Sequence, residues 1–276
     1  MNDVNSNGQI CWIWPFRFSP KLRGQLNQLS LRLDGWFQYP VRVLVACLLI
    51  GLLPVGASVL LNMPVDRPLT ATALTPLLVA SARRDSVFLG LGILAVVFVA
   101  HCAAMISVTA FAPETLAAIF PDGAKYWDES RHWIVTGENP EYELKSWVPA
   151  HFVLAASGAF LTYTSLGFVL IWEGLFQVDL MNVYVGNLVT HSESVWLALA
   201  LGWHPWSVCR GVGFLLIGYE VCSFSLERLL GLPLSTRRRR ILRWSFGLGF
   251  LVLDGTLKFF LLDTVQQILH DNLKQT

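Results

Sequence analysis

The apolar residues of this chain gather in long runs almost free of charge, and a run of about 18 or more such residues has the length of a bilayer-crossing helix. Runs over 41–61, 87–111, 151–176, 207–226 and 244–262 meet that description and predict an all-α, polytopic membrane bundle of about five transmembrane helices. Pro54 falls inside the first run, where a missing backbone donor should bend the helix or end it, and Pro113 closes the second. The run 69–82 is apolar but short, with Pro76 near its middle. It reads as a re-entrant or interfacial segment, the alternative being a short span packed on the first.

A single helix from Ser194 to Leu226 would be roughly 50 Å long, well beyond a hydrocarbon core of about 30 Å. Gly202-Trp203-His204-Pro205-Trp206 supplies the expected break, leaving 194–206 to lie along the interface or dip into it. Ahead of the first span, 1–40 is a basic, amphipathic segment: Arg17, Lys21, Arg23 and Arg32 are interleaved with Leu22, Leu26, Leu29, Trp36 and Phe37. The patch Ile10–Trp14 is too short for a signal-peptide core, so the first span is expected to act as its own insertion signal. Residues 41–262 form the bundle and 263–276 a C-terminal tail.

Composition agrees with this pattern. Charged residues are 14% of the chain, against about 25% in soluble domains, and mean hydropathy is +0.52. A net charge of +1 gives no field to attract nucleic acid, so the partner expected first is the lipid bilayer, with other membrane subunits or self-association next.

Basic residues set the orientation. The N-terminal basic segment and the run Arg237–Arg240 with Arg228 and Arg243 fall on one side of a five-span arrangement, which predicts a cytoplasmic N-terminus. Residues 179–193 hold no Lys or Arg and read as an outer loop. Arg83-Arg84 is discordant, because five spans put it outside; a sixth crossing through 69–82 moves it inside, but then needs a further crossing near Ser194–Trp206 to return the arginine run. Between the second and third spans, 112–149 is acidic and carries Trp127, Trp133 and Trp147, the make-up of an amphipathic segment on the membrane surface or a lid over the spans.

Chemistry within a span is expensive, so each polar or ionisable residue there is a candidate for function. His151, Gly158, Thr162, Ser165 and Glu173 share one face if 151–176 is a continuous helix, forming a stripe for a solute path or an interhelical seam. Arg210 and Glu220 stand too far apart to pair and need partners on other helices, whereas Asp254 and Lys258 are spaced to neutralise each other. His101 reads as a lone histidine hydrogen-bonded to a neighbour. His191, Glu193 and His204, with Glu173 and Asp179 upstream, form a weak catalytic or metal-ligating set at the outer interface, lacking the i, i+4 spacing of a zinc-protease helix.

Phosphate-binding glycine loops and a G-x-S-x-G elbow are absent, and Cys11, Cys47, Cys102, Cys209 and Cys222 form no C-x-x-C pair. No cofactor is implied. Two functions remain: a non-enzymatic transport component or complex subunit using the polar stripe, and a membrane enzyme acting on a lipid-linked or apolar substrate through the His/Glu set.

Overall fold

A computed structural model describes residues 24–25, 28, 31–32, 35–138, 153, 156–230 and 236–274. Nine helices are named here: α1 (Pro40–Leu61), α2 (Asp66–Arg83), α3 (Val87–Phe111), α4 (Pro113–Ile119), α5 (Pro121–Thr136), α6 (Phe168–His191), α7 (Val195–Gly202), α8 (Pro205–Leu230) and α9 (Arg237–Asn272). A further helical stretch covers 156–164. The fold is an all-α bundle, and among the described residues there is no strand. Helices α1, α3, α6, α8 and α9 are each long and apolar enough to cross a membrane.

The first three helices form an up-down-up layer. Asp66 at the start of α2 meets Ser58 near the end of α1, and Ser81 near the end of α2 lies against Gly90 near the start of α3. Between these points Ala71, Leu74 and Leu78 are fully enclosed. So α2, at about 27 Å by helical rise, runs from one end of the bundle to the other. Its 18 residues include Asp66, Arg67 and Arg83, which dilute the apolar signal. Neither Pro54 nor Pro76 ends its helix.

Asp85 in the α2–α3 connection pairs with Arg239 and Arg243 of α9, so Arg83-Arg84 sits at the same end as the arginine run. Arg84 also stacks on Phe37 ahead of α1. Ile134 of α5 lies against Gln266 near the far end of α9, whereas Gly167 lies against Leu78 and Cys222.

The third apolar run is not one helix. The helical stretch 156–164 ends in a turn at Ser165–Gly167, where Leu166 (φ 54°) and Gly167 (φ 94°) are left-handed. At Gly167 that backbone conformation favours glycine, and a Cβ would stand 3.2 Å from Cys222 Sγ. The spanning helix α6 then runs on to His191, so 179–193 is mostly helix where an outer loop was expected. Asp179, Asn182 and Asn187 lowered its apolarity, but each finds a partner inside the bundle.

The other end is closed by α4, α5, α7 and the last turns of α9. Trp127, Trp133 and Ile134 of α5 turn inward onto Tyr184, Leu188, Val265 and Leu269, while Asp122, Lys125, Asp128, Glu129 and Arg131 face out. The break before α8 falls at Trp203-His204, as the proline predicts. Helix α9 has 36 residues, about 54 Å, and absorbs most of the expected tail.

Candidate functional site

The most enclosed ionisable group lies between α2, α3 and α6. His101, the fifteenth residue of α3, and Asp179 of α6 are 0% and 1% exposed, and His101 Nε2 stands 2.7 Å from Asp179 Oδ1. With Asp179 ionised the carboxylate only accepts, and Nε2 then carries the shared hydrogen. His101 Nδ1 then presents a buried lone pair with no hydrogen-bond partner. Close helix approach makes the pair possible: a Cβ on Gly186 would stand 2.4 Å from Thr109 Cβ, so only glycine lets α6 lie this near α3.

Asp66 joins from the start of α2. Its Oδ1 accepts from Ser58 Oγ at 2.9 Å, and Ser58 Oγ in turn accepts from the Asp66 and Val65 N–H groups. One ligand-type atom each from Asp66, His101 and Asp179 lie within 4.8 Å of one another. Asn182, one turn beyond Asp179, donates through Nδ2 to Asp179 Oδ1 at 3.4 Å, leaving its buried Oδ1 without a partner.

Arg67 is the nearest cation, with Nε 3.9 Å from Asp179 Oδ2, and it is partly exposed. Its guanidinium also lies over the rings of Phe120, at the α4–α5 joint, and Phe176 of α6. The centre thus gathers two carboxyl groups, one guanidinium and one imidazole. Its two partnerless atoms are His101 Nδ1 and Asn182 Oδ1.

The stripe residues separate. Thr162 is buried on one side of the Ser165–Gly167 turn; half-buried Glu173 lies on the other, accepting from Gln177. Ser165 Oγ accepts from Val169 N–H within the turn, and His151 lies outside the described residues. Arg210 and Glu220 find partners on α9, as expected: Arg210 Nε donates to Asp254 at 2.9 Å, and Arg243 donates to Glu220 at 2.5 Å. Asp254 thus pairs across helices with Arg210.

Nor are His191, Glu193 and His204 gathered. His191 is exposed and packs on Trp127; Glu193 is exposed, with its backbone N–H on Asn272. His204 is buried, stacked on Trp206 and within hydrogen-bond reach of Tyr184 Oη. Among the described residues, Asp66–His101–Asp179 is the one trio close enough to share an ion. Sequence reasoning passed over Asp66, Arg67 and Asn182; the usable signals were a charged pair heading an apolar run and the i, i+3 spacing of Asp179 and Asn182.

The fold and its apolar helices define a multi-pass helical membrane protein. The chain matches no family model, no curated protein and no solved structure, so its function is argued from the centre itself.

Proposed function

We propose that this protein is a non-enzymatic transport component whose working centre is the acceptor-rich group Asp66, His101 and Asp179, which takes up a small cation within the membrane. The observation behind the reading is the fully enclosed His101–Asp179 pair at 2.7 Å on two spanning helices. Ionisable residues at such depth are rare and are used mainly along ion and solute paths. By helical rise the pair lies about 15 Å from the Phe111 end of α3, beneath the α4–α5 cover. Arg83, Arg84, Arg228 and Arg237–Arg240 all gather at the opposite end, which supports a cytoplasmic placement of that end.

The test uses sealed vesicles containing the full chain, with gradients of H⁺, Na⁺, Mn²⁺ and Zn²⁺ imposed in turn and read by entrapped indicators. One gradient should collapse faster with the wild type than with Asp179→Asn at equal protein content. Equal rates for all four would remove the transport reading.

A further inference from the structure

We infer that the Asp66–His101–Asp179 centre binds a divalent transition-metal ion of the Zn²⁺ or Mn²⁺ kind; the inference rests on the reading of this group as the working centre and names the cation class. The donor set carries the choice. An imidazole nitrogen beside two carboxylates is poorly matched to Na⁺ or K⁺, and Mg²⁺ and Ca²⁺ prefer all-oxygen shells, whereas Zn²⁺, Mn²⁺ and Fe²⁺ accept mixed nitrogen and oxygen ligands.

Two further features point the same way. His101 Nδ1 and Asn182 Oδ1 are both fully buried and both without a partner. Asn182 holds Asp179 with its other amide atom, so its orphaned oxygen lies beside the same carboxylate. Two orphaned acceptors next to two carboxylates are a surplus of electron pairs that only a cation or proton donor satisfies. Charge also closes: two carboxylates and a neutral imidazole around a divalent ion sum to zero. That neutrality requires Arg67 to release Asp179, from which its Nε stands 3.9 Å, while its guanidinium keeps the aromatic seat on Phe120 and Phe176.

The geometry is close to what an ion needs. Ligand atoms on one Zn²⁺ stand about 3.3–3.5 Å apart, from bonds of about 2.0–2.2 Å at tetrahedral angles. The trio, within 4.8 Å, has to draw in by up to about 1.3–1.5 Å at its widest, while the 2.7 Å contact of His101 Nε2 with Asp179 opens by about 0.6–0.8 Å. Ser58 holds Asp66 in place, and Asn182 does the same for Asp179. Such supporting contacts orient ligands and strengthen binding.

The experiment takes the full chain in detergent, purified by a tag without histidine, stripped with a chelator and titrated with ZnCl₂, MnCl₂ and CoCl₂. One ion per chain is expected. Cobalt should give visible bands of nitrogen and oxygen ligation without a thiolate charge-transfer band. Asp179→Asn and His101→Gln should each weaken binding by more than the roughly 10–100-fold that changes in supporting contacts produce. A variant lacking the exposed histidines (His132→Ala, His191→Ala and His270→Ala) should bind as the wild type does. Should the centre variants fail to fold, wild-type stoichiometry, the cobalt spectrum and the exposed-histidine variant still decide. No stoichiometric ion on the wild type, a thiolate band, or loss of binding in the exposed-histidine variant would overturn the inference. Binding without ion movement in vesicles would count against the transport reading alone; ion movement dependent on Asp179 without metal binding would count against the metal alone.

Discussion

Asp85, in the short connection between α2 and α3, accepts from Arg243 of α9 at 2.5 Å across 158 residues of chain. Arg243 also reaches Glu220 of α8, which is 1% exposed, so one guanidinium joins three parts of the bundle. A cycle of Asp85→Asn, Arg243→Gln and the double variant should give a coupling of about 0.5–3 kcal/mol in detergent unfolding. A coupling near zero would mean that the contact contributes nothing to holding α9 on the first layer.

Side-specific labelling tests the path of α2. With the native cysteines replaced, Arg84→Cys and Arg237→Cys should react with a membrane-impermeant thiol reagent from the same face of sealed vesicles, and Glu129→Cys from the other. Should Arg84→Cys react together with Glu129→Cys, α2 does not traverse the membrane.

Arg210 and Asp254 form a second tie between α8 and α9. Arg210→Met leaves Asp254, 8% exposed, without that counter-charge, and should cost about 3–5 kcal/mol. Arg210→Met with Asp254→Leu should recover most of the loss, because two apolar residues replace a pair that is expensive to bury. A single variant as stable as the wild type would mean that Lys258, one turn away, takes over the carboxylate.

Gly186 tests how closely the buried centre depends on helix approach. A methyl group there meets Thr109, so Gly186→Ala should force α6 off α3, with a cost of about 1–3 kcal/mol and weaker cation binding. Thr109→Gly in the same chain should restore part of both. Unchanged binding in Gly186→Ala would show that the His101–Asp179 distance tolerates the shift.

Much of this architecture can be read along the chain because lipid imposes length and apolarity on a spanning helix. The five spanning helices, the break at Trp203-His204 and the need of Arg210 and Glu220 for partners elsewhere all follow from that rule and from proline chemistry. The misplacements share one cause. Helix α2 and the second half of α6 are largely buried in the bundle, so they carry the buried Asp66, Asp179 and Asn182 and the partly exposed Arg67, and a scale built on lipid exposure reads such stretches as loop or interface. The stripe on 151–176 assumes unbroken helical phase, and the left-handed backbone at Leu166 and Gly167 resets that phase. The centre joins residues 35 and 78 positions apart, so its members meet only through tertiary packing.

Helix α2 also has a bearing on how the protein is made. With Asp66, Arg67 and Arg83 in an 18-residue helix, its partition from the translocon into lipid is unfavourable by itself, since each charge near the middle of a span costs about 2.5–3.5 kcal/mol and somewhat less towards the ends. Its neighbours remove that cost: Ser58 of α1 receives Asp66, and α3 covers the apolar face. The first three helices therefore have to leave the insertion channel as one unit, with α2 held in the company of α1 until α3 has been synthesised.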